Sequence, residues 1–240
     1  MNTRNTNNDA NTTNDMTNDS SIAHDTSNNT LPHHLGVVGT VARFKPLHKG
    51  HAVLLESLCE RSSHVYIGIG SSNKYDVRNP FTARESKEMI DLILQPRYNN
   101  YSLLEVPDVG NGPKWRELIL GKFGTLDHFV IVNDYVADLL KNDYTLIPSV
   151  RLIPEEKKFP VTATMVRTAI ARGEPWEHFV PESIVTYLNE LKEQEDKRQE
   201  TLVDRFVREF GLATLAQTTQ EMLYGKPTER ERCQPSATTK

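Results

Sequence analysis

Two histidines, His48 and His51, stand three residues apart in the run Arg43-Phe-Lys-Pro-Leu-His-Lys-Gly-His51. An imidazole N–H can donate to a phosphate oxygen, and two rings at this spacing can do so together. Arg43 adds a cation just before them, and Gly50 with Pro46 breaks the chain into a turn. A second group lies far downstream. Thr162 and Thr164 offer hydroxyls, and Arg167 returns to the side of Thr164 if the segment is helical. These residue types suit phosphate handling, and neither histidine needs to act as a nucleophile.

The elements around them point to the same chemistry. Val37, Val38, Thr40 and Val41 read as a buried strand, and Ala52–Cys59 has helical spacing. The histidines therefore fall between the carboxyl end of a strand and the amino end of a helix, where ligands bind in open α/β sheets and where free N–H groups favour phosphate. Thr162 and Thr164 take the same place at the start of a helix running to Ala171 and stopped near Gly173.

Further strands are predicted at His64–Ile69, Tyr101–Val106, His128–Val132 and Val150–Ile153. Helices are predicted at Thr82–Leu94, Pro113–Leu120, near Val136–Leu140, and at Pro181–Leu191. Thr82 with Glu85 has the spacing of a capping box. Alternating strands and helices imply an α/β fold with a doubly wound, mostly parallel sheet, followed by C-terminal helices. No Gly-x-Gly-x-x-Gly follows the first strand, so the dinucleotide-dehydrogenase signature is missing.

The 240 residues allow one substantial core. Residues 1–33 are dominated by Asn, Thr, Asp and Ser and are expected to stay disordered. The folded domain is placed at 34–192, a helical extension at 193–225 and a second polar tail at 226–240. Lys192–Glu200 is a mixed charge run, and Leu202, Val203, Phe206, Val207 and Phe210 form a helical stripe that packs on its own domain or on another subunit. A net charge of −4 argues against nucleic acid as the main partner. The two cysteines, Cys59 and Cys233, are not placed to pair, which suits a reducing compartment. No apolar run reaches membrane-spanning length and no secretory signal is visible, so a cytoplasmic protein with no membrane partner is expected. His33 and His34 lack partners at metal-ligand spacing, and no metal ligands are assigned. Lys74 follows the Gly70-Ser-Ser turn, within reach of phosphate, and is read as solvated.

The His48-Lys-Gly-His51 run resembles the HxGH motif of the nucleotidyltransferase superfamily. Its longer form resembles the GRFQPFHxGH segment of archaeal-type nicotinamide mononucleotide adenylyltransferases. The resemblance continues through Gly68–Ser71, Arg78–Thr82, Pro107-Asp108, Trp115 and Thr162–Arg167, the last similar to the Ser-Gly-Thr-x-x-Arg motif of that group. It spans about residues 36–192 and implies a Rossmann-like nucleotidyltransferase fold. By this resemblance His48 contacts the triphosphate of ATP and His51 steadies the α-phosphate in the transition state. Arg43 and Arg167 complete the catalytic set, while Thr162, Thr164, Gly50 and Lys45, the last standing where the family has glutamine, bind nucleotide. Arg78 is implied at the mononucleotide phosphate, Trp115 at the pyridine ring and Asp108 at its amide edge. Val132-Asn-Asp-Tyr135 departs from the Ser-Gly-Asn-Pro of the family.

The implied reaction is adenylyl transfer from ATP to nicotinamide mononucleotide, with Mg2+, giving NAD and pyrophosphate. Two other readings stand beside it. One keeps the chemistry with another acceptor, such as nicotinate mononucleotide, flavin mononucleotide or phosphopantetheine. The other is a nucleotide-binding regulator without turnover. The resemblance also suggests a homo-oligomer.

Overall fold

The computed structural model describes residues 31–194 apart from Val77. The chain divides into two units, Met1–Leu31 and Pro32–Lys240, and the fold lies in the second. The first polar segment except its last residues, the charge run beyond Gln194, the apolar stripe at 202–210 and the C-terminal tail lie outside the described residues.

Five strands form one parallel sheet: β1 (Val37–Ala42), β2 (His64–Gly70), β3 (Tyr101–Val106), β4 (His128–Ile131) and β5 (Leu146–Pro148). Their spatial order is β3-β2-β1-β4-β5. Val37 of β1 sits opposite His64 of β2, and Val38 sits opposite His128 of β4. The chain thus steps outward from β1 to β3, then crosses to the other side of β1 for β4 and β5. Right-handed crossovers then require the connections before β3 and those after it to use opposite faces. The packing agrees. Helices α1 (Lys49–Arg61), α2 (Ala83–Leu94) and α6 (Glu182–Gln194) pack together, as do α3 (Gly112–Phe123) and α4 (Asp134–Leu140). Among the described residues the remaining α-helix, α5, spans Ala163–Arg172.

Both faces are apolar, as a covered parallel sheet requires. On one, Val41, Val106 and Phe129 pack with Ile119 and Phe123 of α3 and Val136 and Leu140 of α4. Elsewhere Leu55, Leu58, Ile67, Ile69, Met89 and Ile90 are fully buried, each side chain contributing about 1.5–3 kcal/mol of transfer free energy. Helix ends follow local chemistry. Thr82 and Glu85 close the capping box at α2, and Gly173, with φ of +67°, ends α5 in the left-handed conformation. Cys59 is a free, buried thiol whose pKa burial pushes up to about 12.

One element departs from expectation. Val150–Ile153 is not a strand. The fifth strand is Leu146–Pro148, and Ser149–Arg151 forms a short 3-10 turn. Ile147 supplies the buried side chain, pairing opposite Val130, whereas Val150 is 62% exposed. Pro148 is tolerated because it ends an edge strand. The tertiary partner, not β-propensity, decides between the two neighbouring apolar pairs.

Gly68 lies under α3, and a Cβ there would come 2.8 Å from Phe123 Cζ and 3.0 Å from Val106 Cγ2. Both neighbours belong to the buried cluster and have little room to yield. Gly68→Ala should therefore destabilise the protein by about 1–3 kcal/mol, the usual cost of overpacking. A fall in the urea midpoint at unchanged slope checks this.

Candidate active site

A cleft of about 830 Å3 opens at the carboxyl ends of the strands. Its volume lies near the top of the roughly 300–1,000 Å3 typical of small-molecule sites. Its walls come from the segments after β1, β2, β3 and β4 and from the start of α5. Since the chain order reverses between β1 and β4, this is the switch point of the sheet.

The β1–α1 turn is built by Phe44 and His48. Phe44 takes a positive φ of 53° and buries its ring, while Arg43 stays exposed and lines the cleft. Such a backbone is costly for a residue with a Cβ and persists only where its surroundings hold it. His48 caps α1, its Nδ1 accepting from the His51 N–H at 3.3 Å. A neutral ring that accepts at Nδ1 carries its proton on Nε2, which leaves a donor. The two imidazoles stack with centroids 3.6 Å apart, and Phe44 packs edge-on against His51 at 4.9 Å. Gly50 does not line the cleft. A Cβ there would press on the His48 ring at 3.2 Å, so glycine leaves room for the cap.

Burial holds both rings neutral. The His48 pKa falls to about 4, mainly by desolvation and secondly through the Arg167 charge. That of His51 is also held well below its ordinary value, by burial and then by His48, and its Nδ1 is buried without a hydrogen-bond partner.

Thr162 caps α5, its Oγ1 accepting from the Met165 N–H at 3.2 Å. Arg167, one turn on, donates to the Lys45 carbonyl at 2.7 Å and to Thr164 Oγ1 at 3.2 Å. Its Nε has no partner although it is buried. Desolvation, then the neighbouring Arg43, pull its pKa down to about 10, still well above neutrality. Arg43, Arg167 and Lys74 all line the cleft, and among the described residues Asp108 is the one carboxylate to do so. The local charge is thus positive in a chain whose net charge is −4.

The opposite wall comes from β3–α3 and β4–α4. Asn73 and Asp108 tie two loops together through reciprocal bonds, Asn73 Nδ2 to the Asp108 carbonyl at 3.0 Å and the Asp108 N–H to Asn73 Oδ1 at 2.8 Å. Trp115 lines the cleft while packing on the α3–α4 cluster. Tyr135, 65% exposed, lies so that a Cβ on Gly112 would approach its hydroxyl to 3.1 Å. Asn111 and Asn133 cap α3 and α4. Four helix caps, His48, Asn111, Asn133 and Thr162, therefore line one cleft; the amino ends of α1, α3 and α5 each carry about half a positive charge, while Asp134 offsets that of the short α4.

Of the residues expected from sequence, the cleft brings together Arg43, His48, His51, Asp108, Trp115, Thr162, Thr164 and Arg167. Lys45 is not among them. It is 0% exposed, and its amine donates to the carbonyls of Ser71 and Lys74 at 2.9 and 3.0 Å. Arg78 is exposed and also outside the lining; its N–H joins the turn closed by Asp76. Lys74 is exposed, as expected, and also lines the cleft. The signal for the cleft was its place just after the carboxyl end of β2. Asn111 and Asn133 were missed, although Asn111-Gly-Pro113 is a recognisable helix start.

A cleft of donors and helix amino ends at the switch point of a parallel sheet defines a nucleotide-handling α/β protein. The profile of the Cytidylyltransferase-like family matches residues 40–169. A nicotinamide-nucleotide adenylyltransferase of Pyrococcus horikoshii is 34% identical over 156 residues, covering 63% of this chain and 82% of that protein. One from Thermococcus kodakarensis is 32% identical over 157 residues, covering 63% and 81%. A solved bifunctional NMN adenylyltransferase/ADP ribose pyrophosphatase from Francisella tularensis, complexed with AMP and a manganese ion, shares the fold. Its TM-score is 0.54 at 19% identity, over 73% of this chain and 52% of that one. The chain belongs to the cytidylyltransferase-like nucleotidyltransferases, in the archaeal-type nicotinamide-nucleotide adenylyltransferase family. No helix among the described residues is long and apolar enough to cross a membrane.

The buried neutral imidazole of His48 makes stability depend on pH. Unfolded, the ring takes up a proton near its ordinary 6.5; folded, only near 4. Between those values the unfolded state binds more protons, so stability is complete above pH 6.5 and falls as pH drops towards 4. The loss should be on the order of 2–3 kcal/mol. His48→Asn, which keeps a capping side chain but cannot titrate there, should show a shallower decline in urea midpoint across this window.

Proposed function

We infer that the chain transfers the adenylyl group of ATP to nicotinamide mononucleotide, releasing NAD and pyrophosphate. The observation that carries this reading is the gathering of the two histidines, Arg43, Arg167 and four helix caps around one cleft in a chain of this family. An oxygen of the mononucleotide phosphate attacks the α-phosphorus of ATP. The new P–O bond forms as the bond to the α,β-bridging oxygen breaks, and pyrophosphate leaves with that electron pair.

The protein has no covalent work in such a step. It must hold the two phosphates in line and stabilise the charge growing on the phosphoryl oxygens. Neutral imidazoles suit this, since each can donate while being held rigidly, and a fixed donor needs no reorganisation in the transition state. His48 is assigned to the triphosphate and His51 to the α-phosphate. Arg43 and Arg167 neutralise phosphate charge, and the hydroxyls and N–H groups at Thr162 and Thr164 add donors. Trp115 is assigned to stacking on the pyridine ring and Asp108 to its carboxamide, where a carboxylate accepts from NH2 and repels an acid.

Among the described residues no group of three His, Cys, Asp or Glu is placed to hold a metal. Magnesium fits this arrangement as part of the substrate, carried by phosphate oxygens and water, and would neutralise the triphosphate. The homo-oligomer implied by the resemblance and the cytoplasmic setting expected from the sequence belong to this proposal as well.

A panel of acceptors with α-labelled ATP tests it. Nicotinamide mononucleotide should give NAD and equimolar pyrophosphate, faster than nicotinate, flavin or pantetheine phosphates give their products; absence of NAD would overturn the reading. His51→Ala should lower kcat by orders of magnitude with little change in KM for ATP, since its donor matters most as charge develops. Asp108→Asn should narrow the preference for the amide over the acid, and Trp115→Ala should raise KM for the acceptor more than for ATP. Competition kinetics reads both.

A further inference from the structure

Lys45 is a costly residue for a protein interior. Its side chain is fully buried, and burial lowers its pKa to about 8, against the nearby Asp76 charge, which raises it. An ammonium there persists only if its protons find acceptors. It has two, and both belong to one turn. The Ser71 and Lys74 carbonyls accept from its amine at 2.9 and 3.0 Å, and the Lys74 N–H closes that turn onto Ser71 O at 3.0 Å.

The turn needs holding. Ser71 is buried with φ of +52°, a conformation that residues with a Cβ seldom adopt. The turn also has an outward job. It presents Lys74 to the cleft, and its Asn73 makes the reciprocal pair with the backbone of Asp108. On its other side, the Lys45 carbonyl anchors the Arg167 guanidinium at 2.7 Å. One residue thus joins the wall assigned to the triphosphate to the wall assigned to the acceptor.

We propose that Lys45 is a positioning residue for adenylyl transfer: through the Ser71–Lys74 turn and Asn73 it sets where Asp108 meets the acceptor. The inference rests on the assignment of Asp108 to the acceptor. Removing the amine takes one of two donors from the buried Ser71 carbonyl and the side-chain donor from the part-buried Lys74 carbonyl, and the turn relaxes with the Asp108 loop. The backbone carbonyl under Arg167 is untouched by such a change, so the effect falls on one substrate.

The test compares Lys45→Met, Lys45→Gln and Asn73→Ala in the full chain. Lys45→Met should raise KM for nicotinamide mononucleotide about tenfold, as loss of a hydrogen bond from a charged group allows, with KM for ATP nearly unchanged. Lys45→Gln, whose amide can still donate two protons, should recover most of the loss. Asn73→Ala cuts the link at an exposed position, so it should fold whatever happens to Lys45→Met, and should raise the acceptor KM similarly. Amide exchange at Lys74 should quicken in Lys45→Met and not in Lys45→Gln, a readout independent of turnover. An acceptor KM at the wild-type value in Asn73→Ala, or equal rises for both substrates in Lys45→Met, would overturn the proposal. A wild-type protein that makes no NAD would instead overturn the functional reading, with the exchange result still judging the clasp.

Discussion

The bond from the His51 N–H to His48 Nδ1 is the contact on which the site depends. It satisfies one of the free amides at the start of α1, fixes the proton of His48 on the outer nitrogen and stacks the second imidazole on the first. The rings are then held by burial in their neutral form. Two consequences follow that pull against each other. Neutral buried donors lower stability in acid, yet their N–H groups meet a polyanion already fixed in place. Gly50 belongs to this constraint, because any side chain there would press on the capping ring.

Around that contact the fold concentrates positive potential. Helix amino ends at His48, Asn111, Asn133 and Thr162 line the same cleft as Arg43, Lys74 and Arg167. Parallel strands make this possible, since every strand of such a sheet delivers its following loop to the same edge. The order β3-β2-β1-β4-β5 then leaves a crevice between the loops that diverge from β1 and β4. Burial first, and the neighbouring Arg43 second, lower the pKa of Arg167, but not enough to discharge it. The mutual repulsion is a standing cost that a bound polyphosphate would relieve.

Much of this was legible in the residues. The Val37–Ala42 strand, the break at Pro46 and Gly50, and the histidines beyond them are local signals, as are the capping box at Thr82 and the cap at Thr162. What failed was set by distant partners. Leu146–Pro148 and Val150–Ile153 are comparable in pattern, and only the register with β4 chooses the first. Lys45 is expected at the nucleotide because it stands in the phosphate-binding run, and only the return of Ser71 and Lys74 to meet its amine turns it inward. Arg78 matches its family position, but a match of type carries no information about where its loop lies relative to the cleft.

The central claim is that catalysis here is positioning and charge stabilisation, with no group of the protein ever bonded to phosphorus. Isotope exchange tests it directly. Purified protein is incubated with ATP and labelled pyrophosphate, with no acceptor present. A covalent adenylyl-protein would return label to ATP by reversal of its formation. Direct displacement predicts no labelled ATP until NAD is added, whereupon reversal of the whole reaction returns it. Label in ATP with neither mononucleotide nor NAD present would contradict the account.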